Sequence, residues 1–366
     1  MNYTSSVLDP RGRGREFGET HRERVGATVA AYTALFAAYA AGQRFSLDEY
    51  GSAALAAIDS WAPDLGAELR GVAEGSDQPA ATIAALNART EILAALRAGA
   101  SGNERAGVRG ECSTIVALGG EDDEPVAVQN WDWFAGMADN WLTWTVPLPD
   151  GRSFTTVTEY GILAKIGVNS AGVGLLFNIL HHRRDGAGGA SGLGVPVHVL
   201  ARTVLQTAVD VNTALTLVGS TTVSASTALT VVGSRAAGKT AITAEVWPDG
   251  PSFVLPAPDG LLLHTNHFLA SGPDGGDTEP VQAPDTLIRY EVLRRRLHGR
   301  GASLTQAEAV ATLTDHTGGS GALCCHPDAD AGVTDAYQTL ATVRLDTAAA
   351  TVTATAGTPC RIPVTE

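Results

Sequence analysis

Residues 110–133 read GECSTIVALGGEDDEPVAVQNWDW, and this stretch decides how the rest of the sequence is interpreted. Two β-branched runs flank a turn rich in glycine and acidic residues, which predicts a β-hairpin. With the turn centred on Asp122, antiparallel pairing places Cys112 opposite Asp132. The hairpin therefore predicts a thiol beside a carboxylate or amide, from Asp132 or Asn130, at one end of a sheet.

The sequence before the hairpin has a helical pattern, because residues 22–100 are rich in Ala, Leu, Ile and Glu with apolar positions at helical spacing. Ser46, followed by Glu49 three residues later, predicts a capped helix start. After the hairpin, hairpin patterns outnumber parallel crossovers, which favours an α+β fold of antiparallel sheets covered by helices. The predicted helices there are 195–209 and 285–297, and the predicted strands are 154–158, 162–168, 173–177, 228–232, 242–246, 261–265, 339–345 and 351–354.

Composition limits the class of protein. The chain has 366 residues, 44% of them hydrophobic, so it can bury a full core. Its net charge of −14 and lack of a basic run argue against nucleic acid as a partner. The alanine-rich stretch 28–42 is too short to span a membrane. With no apolar run of signal-peptide length at the start and only four cysteines, we expect a cytoplasmic protein.

Several short motifs follow one another along the chain. They are LNARTE at 86–91, CST at 112–114, QNWD at 129–132, GVNSAGV at 167–173, GVP at 194–196 and HTNH at 264–267. In kind and order they resemble the acyl-CoA:6-aminopenicillanic acid acyltransferase (isopenicillin N acyltransferase) family. That resemblance implies an N-terminal nucleophile (Ntn) hydrolase, which is a four-layer αββα sandwich of two antiparallel sheets covered by helices.

The resemblance also implies self-cleavage between Glu111 and Cys112. Residues 1–111 would then form a helical pro-segment or small subunit. It would stay bound to a catalytic subunit, residues 112–366, as a heterodimer forming one αββα domain. The penicillin enzyme has glycine before its cysteine, whereas this chain has Glu111. Glu111 either makes the backbone less able to relax strain during cleavage than glycine would, or acts as a local acid or base in the cleavage.

Residue roles follow from the same resemblance. Cys112 is the nucleophile, Asp132 holds the new terminus and tunes the thiol, and Asn266 donates its side-chain amide to the oxyanion. Four further residues are possible pocket residues, namely Asn130, Trp131, Asn178 and His264. Asn169 instead fits the turn of the motif Asn-Ser-Ala-Gly.

The expected chemistry is cleavage or formation of an amide through a cysteinyl thioester. The substrate class is a small N-acylated amine, amino acid, peptide or β-lactam-like metabolite, with hydrolysis and acyl transfer both open. We expect no cofactor and no metal, with acyl-CoA as a possible acyl donor, and we interpret His264 and His267 as structural or pocket-lining. The aromatic residues at 131–144 form either a wall for an acyl chain or ordinary core. The alternative function is a catalytically inert, uncleaved binding protein with the same fold.

The sequence departs from the family pattern in two places. The family commonly has Cys-Arg where Cys324-Cys325 stands, and the penicillin enzyme has Ser-Arg where Asp335-Ala336 stands. Both changes remove positive charge that would hold an acyl or carboxylate group. Gln129, in contrast, is typical of the acyltransferase branch rather than of the bile-salt hydrolases and penicillin V acylases.

Overall fold

The computed structural model describes residues 1–40, 42–99, 112–121, 123–234, 238–273, 275–327, 331–332 and 336–361. The helices are α1 Pro10–Thr20, α2 Arg22–Tyr39, α3 Leu47–Trp61, α4 Pro63–Ser76, α5 Ala80–Asn87, α6 Arg89–Gly99, α7 Val197–Thr207, α8 Val211–Gly219, α9 Glu279–Gln282, α10 Asp285–Leu297 and α11 Gln306–Thr312. The strands are β1 Asn2–Thr4, β2 Ser113–Ala117, β3 Val126–Phe134, β4 Trp141–Pro147, β5 Ser153–Glu159, β6 Ile166–Asn169, β7 Val173–Ile179, β8 Thr227–Gly233, β9 Thr240–Trp247, β10 Gly250–Val254, β11 Leu261–His264, β12 Tyr337–Asp346 and β13 Thr351–Ala356.

These strands form two sheets that face each other. The larger sheet has the order β1-β4-β5-β6-β7-β8-β9-β10 and the smaller one β11-β2-β3-β12-β13. All neighbours pair antiparallel except β1 and β4. Strand β13 contacts β5, and β2 contacts β7, across the gap between the sheets. Helices α7 and α8 cover the larger sheet, while α10 and α11 cover the smaller one. The expected α+β class and αββα layering are confirmed.

The register of the predicted hairpin is shifted by one residue. Ser113 pairs with Asn130, so extending the ladder brings Cys112 beside Trp131 rather than opposite Asp132. The reason is the turn: the backbone N–H of Asp123 bonds the Gly120 carbonyl and the Asp123 carboxylate accepts from the Gly120 N–H, which centres the turn before position 122. A shift of one residue exchanges the two faces of a strand.

The helical pattern of residues 22–100 resolves into α2 to α6, and the predicted Ser46 cap is confirmed by its bond from the Glu49 N–H at 3.2 Å. Helix α1 was not expected, because it is polar and rich in glycine. Its glycines allow a close crossing with α4: a Cβ at Gly14 would lie 2.0 Å from the Glu68 carbonyl oxygen. None of the helices in the described ranges is long and apolar enough to cross a membrane.

The LNARTE motif joins the N-terminal helices to the sheets. The Asn87 side chain bonds the Leu163 N–H and the Gly161 carbonyl, at 2.9 and 2.8 Å. Arg89 forms a fully buried ion pair with Glu159 at 3.0 Å. Because buried polar groups are costly unless paired, these contacts fix one docking position for α5 and α6.

A second buried ionic group ties α1 and α4 to α7. Glu68 accepts from Arg202 at 2.8 Å and pairs with Arg13 at 2.5 Å, with all three side chains at most 2% exposed. Burial lowers the pKa of Arg202 to about 10. One carboxylate on α4 thus binds two guanidinium groups, one from α1 and one from α7.

Glu91 generates a prediction about pH. Its Oε1 accepts from the Val197 N–H at 2.8 Å, and burial raises its pKa to about 7, with the Val197 N–H and Arg89 opposing the shift and Asp185 adding to it. Because folding raises the pKa of Glu91, the protonated carboxyl group contributes its full share of the free energy of unfolding below about pH 4.5. That contribution is lost as the pH rises towards 7. We expect Glu91→Gln to flatten that loss and to raise the free energy of unfolding at pH 8 by at most about 3 kcal/mol.

Urea unfolding at pH 5 and pH 8 measures this effect. The exposed Glu49→Gln is the matched control and should follow the wild-type pH profile. A Glu91→Gln protein whose unfolding free energy declines with pH as steeply as that of the wild type would contradict the assignment.

Candidate functional site

Cys112 is the residue immediately before β2, which is one of the inner strands of the smaller sheet. Its side chain is buried, and the residue is 1% exposed. Its carbonyl oxygen accepts from Asn178 Nδ2 at 3.0 Å and from Arg289 Nη1 at 3.1 Å. Asn178, a predicted pocket residue, reaches across from β7 in the other sheet and also accepts from Thr114 Oγ1 at 2.7 Å. The site therefore sits where the two sheets meet.

Arg289 on α10 organises this site, and the sequence analysis missed it. The guanidinium is fully buried and donates to the Cys112 carbonyl and to Ser113 Oγ, both at 3.1 Å. Both Nη atoms donate to Asn266 Oδ1 at 3.1 Å, and Asp285, one helical turn earlier, accepts at 3.3 Å. The only signal in the sequence was this acidic partner four residues before an arginine on a predicted helix.

Asn266 follows β11 and is held at both ends of its side chain. Its Oδ1 faces Arg289, while Nδ2 donates to the Ile179 carbonyl at 2.9 Å. Its backbone N–H donates to Thr286 Oγ1 at 2.9 Å. These bonds fix which end of the amide is the donor, which is the orientation that the expected oxyanion role requires.

The histidines of the HTNH motif face other partners. His264, a predicted pocket residue, pairs through Nε2 with the buried Glu245 at 2.9 Å. His267 Nδ1 lies 3.0 Å from Thr286 Oγ1. Burial lowers the pKa of His267 to about 4, with the charges of His264 and Arg289 acting in the same direction. The structure thus gives His264 a buried hydrogen-bonding partner in β9.

Asn130 is held by the helical layer. Its Nδ2 donates to the carbonyls of Leu313 and Leu323, at 3.2 and 2.8 Å, and its Oδ1 accepts from Thr342 Oγ1 at 2.7 Å. Both N–H donors of this amide and its carbonyl oxygen are thus bonded within the scaffold. The structure thus ties this predicted pocket residue into the packing beneath α11.

Asp132 lies two residues further along β3, opposite Thr339 of β12, and is fully buried. Burial raises the pKa of the Cys325 thiol, and the nearby Asp132 carboxylate raises it further while Arg289 lowers it. Cys325 therefore stands near Asp132 and Arg289. The departure from the family pattern at Cys324-Cys325 falls at this site.

The aromatic residues pack in the core. Trp131 is fully buried and contacts Trp141 edge-on with ring centres 6.1 Å apart. Beneath it lies Lys165, another residue missed by the sequence analysis, whose Nζ is 4.9 Å from the Trp131 ring centre and 5.2 Å from that of Phe177. A buried cation over aromatic faces gains electrostatic attraction from the rings. Core packing, one of the two alternatives for residues 131–144, is what the structure shows.

Two other expectations concern the motif regions. Asn169 holds its own turn as expected, since its Oδ1 accepts from the N–H groups of Ala171 and Val173 at 3.1 and 3.0 Å. Glu111, and with it the expected cleavage position, lies outside the described residues.

A four-layer αββα sandwich with a polar cluster at the end of an inner strand is the architecture of Ntn hydrolases. The sequence profile of the family described as acyl-coenzyme A:6-aminopenicillanic acid acyl-transferase matches residues 119–361, more than half of the chain. The chain belongs to this family. The matched range contains Asp132, Asn178, Asn266 and Arg289 and begins after β2, so it does not include Cys112.

Among curated proteins, the chain is similar to the acyl-coenzyme A:6-aminopenicillanic-acid-acyltransferase 40 kDa form of Emericella nidulans. The two are 28% identical over 233 residues, which is 63% of this chain and 59% of that protein. The chain thus spans less than two thirds of the length of this relative.

Two solved structures overlap in part with this fold. An N-acylethanolamine-hydrolyzing acid amidase (NAAA) ortholog of Caenorhabditis elegans has a TM-score of 0.45 at 13% identity, covering 64% of this chain and 93% of that one. Penicillin V acylase from Agrobacterium tumefaciens has a TM-score of 0.44 at 15% identity, covering 67% and 83%.

The bonds of Asn178 generate a stability prediction. Asn178→Ala leaves the buried Cys112 carbonyl and the Thr114 hydroxyl each without one partner. We expect a loss of about 1–3 kcal/mol in the free energy of unfolding, mainly from the Thr114 hydroxyl, because the Cys112 carbonyl still accepts from Arg289. Urea denaturation measures it, with the exposed Asn212→Ala as a control that should stay within about 0.5 kcal/mol of wild type. Equal stability of the two variants would contradict the described geometry.

Proposed function

We propose that this protein is an autoproteolytically activated Ntn amidohydrolase or acyltransferase that acts on small N-acylated amines through a thioester on Cys112. Family membership supports acyl-transfer chemistry in general terms. The observation that carries the specific proposal is the clamp on Cys112, whose carbonyl is bonded by Asn178 and by the same arginine that orients Asn266.

The two hydrogen bonds described for the clamp are both made to the carbonyl oxygen of Cys112. These hydrogen bonds do not involve the peptide bond between Glu111 and Cys112, so they would persist after that bond is cut. A chain terminus created by cleavage ordinarily frays. Here Asn178 and Arg289 would hold the new first residue in place, which is a requirement for an N-terminal nucleophile.

The proposed chemistry begins with self-cleavage. Cys112 Sγ attacks the Glu111 carbonyl carbon, the C–N bond breaks as the nitrogen takes up a proton, and water then hydrolyses the thioester. The released α-amine has an ordinary pKa of about 7.7–8.0, so it can accept the thiol proton near neutral pH. In turnover the amine passes this proton to the leaving nitrogen of the substrate, and water or an acceptor amine releases the acyl group.

Asn266 is the proposed oxyanion donor. Two guanidinium N–H groups hold its Oδ1, so the Nδ2 end is fixed as a donor before any substrate arrives. Preorganised donors of this kind lower the barrier because they need no reorientation as negative charge develops. Asp132 would complete the site by holding the new α-amine.

The two fragments would remain together as a heterodimer. The pairs Arg89–Glu159 and Glu68–Arg202 both join residues 1–99 to residues 112–361 and are fully buried. One continuous hydrophobic cluster also includes apolar residues of α2 and α6 together with those of both sheets. Separating the fragments would expose this cluster and leave buried charges unpaired, which is strongly unfavourable.

The substrate is proposed as an acyl-amine without a large anionic group in the acyl pocket. Cys325 stands near Asp132 where the family commonly has arginine, so the positive charge available to bind a carboxylate is smaller. If the enzyme transfers acyl groups to an amine instead of hydrolysing amides, acyl-CoA is the proposed acyl donor. A panel of N-acyl amines, assayed by mass spectrometry with and without acyl-CoA and amine acceptors, separates hydrolysis from transfer.

Replacement of Cys112 tests self-cleavage. Wild-type protein should yield fragments of 111 residues and of the remaining 255 residues, roughly 11 and 26 kDa when mass is scaled by length. Cys112→Ala should stay one chain and lack activity, because it has no nucleophile, while Cys112→Ser should process more slowly than wild type. Denaturing gels with intact-mass measurement follow the reaction.

Cleavage of the Cys112→Ala chain at the same position would refute a self-cleavage mechanism. A wild-type chain that stays intact and transfers no acyl group would instead identify the protein as an uncleaved binding protein.

Replacement of Asn266 tests the oxyanion role. Asn266→Ala should lower kcat by about 10²–10³ per folded molecule, since one oxyanion donor is lost. Asn169→Ala is the matched control, because Asn169 is also buried and its side chain is also bonded at both ends, to its own turn and to the carbonyls of Leu205 and Ala208. Both variants should lose stability, whereas only Asn266→Ala should lose rate. Normal turnover per folded Asn266→Ala molecule would rule the role out.

A further inference from the structure

Four potential metal ligands converge at the edge of the smaller sheet, and none of them is a residue assigned to catalysis. His316, Cys324 and His326 lie on the segment between α11 and β12, and Cys360 lies in a short 3₁₀ helix after β13. In the sequence they are separated by seven, one and thirty-three residues. This spacing matches no common metal-binding motif, and the sequence analysis considered only His264 and His267 as possible ligands.

The geometry of the cluster centres on one nitrogen. His326 Nε2 lies 3.2 Å from His316 Nε2, 3.4 Å from Cys324 Sγ and 3.4 Å from Cys360 Sγ. All four ligand atoms lie within 4.8 Å of one another. A tetrahedral zinc ion with Zn–N near 2.0–2.1 Å and Zn–S near 2.3 Å requires N–N edges of about 3.3 Å and N–S edges of about 3.6 Å. The three separations measured from His326 Nε2 are close to those edges.

We propose that His316, Cys324, His326 and Cys360 bind one structural Zn²⁺ ion. Two sulfur and two imidazole ligands are the Cys₂His₂ set that zinc favours, whereas calcium and magnesium prefer oxygen ligands. Binding converts two thiols into thiolates and releases two protons to solvent, so the ligated site carries no net charge. Four protein ligands complete the tetrahedron and leave no position for a catalytic water.

The ion would hold the C-terminal segment against the scaffold of the active site. The Leu323 carbonyl binds Asn130 of β3, and Cys325 pairs with Thr339 of β12 through its N–H and its carbonyl, both at 3.1 Å. The segment that carries Cys324 and His326 is therefore already fixed to the sheet on one side. Zinc would add a cross-link to Cys360, beyond the last strand.

Metal analysis of the full chain tests the proposal. The protein is produced without a polyhistidine tag, loaded with Zn²⁺, dialysed and measured by plasma mass spectrometry. We expect one zinc ion per chain in the wild type and in Cys112→Ala, which excludes the nucleophile as a ligand. His316→Gln and Cys360→Ser should lose the ion, while the exposed His298→Gln, the matched control, should retain it. Circular dichroism confirms that each variant is folded.

Thiol alkylation with peptide mapping gives a second readout that does not depend on activity. Cys324 and Cys360 should be protected in the zinc-loaded protein and become alkylated after a chelator is added, and Co²⁺ should give the strong visible absorption of a tetrahedral thiolate site. The proposal is overturned if zinc-treated wild type retains no ion, or if the ligand variants and the control bind equally. It is also overturned if Cys324 and Cys360 are found joined by a disulfide that persists through purification in a reducing agent.

Discussion

The buried guanidinium of Arg289 is the constraint on which the site depends. A cation without exposure to water must be surrounded by acceptors, and Arg289 meets this requirement with the Cys112 carbonyl, Ser113 Oγ, Asn266 Oδ1 and Asp285. These acceptors come from the start of β2 and the residue before it, from the loop after β11, and from α10 itself. One charge therefore sets the relative positions of the proposed nucleophile and of the proposed oxyanion donor.

The N-terminal helices contribute to the same arrangement from the other side of the molecule. Asn87 bonds the connection between β5 and β6, Arg89 pairs with Glu159 of β5, and Glu91 bonds the first turn of α7. Buried ionic contacts add little net stability, but they penalise every alternative docking position. A helical layer held in this way would keep its place whether or not the chain is continuous at Cys112.

Much of the fold could be predicted from local pattern. Helix α10 has the predicted boundaries, and ten predicted strands are present with ends shifted by a few residues. Strand β4 was missed because its tryptophans were interpreted as a possible acyl-binding wall. Strand β10 was missed because its first two residues are glycine and proline. Residues of the motifs, such as Asn178 and Asn266, could be found because a resemblance pointed to them. The role of Arg289 and the cluster of His316, Cys324, His326 and Cys360 could not be found in this way, because most of their partners are distant in sequence. These residues meet only through the topology of the sheets.

The central claim is that Cys112 becomes the first residue of a catalytic chain. Its most direct test is N-terminal sequencing and peptide mapping of the mature large fragment after stoichiometric reaction with iodoacetamide. The account predicts a fragment that begins at Cys112, with loss of turnover in proportion to the label on that residue. A fragment that begins elsewhere, or full labelling of Cys112 with unchanged turnover, would contradict it.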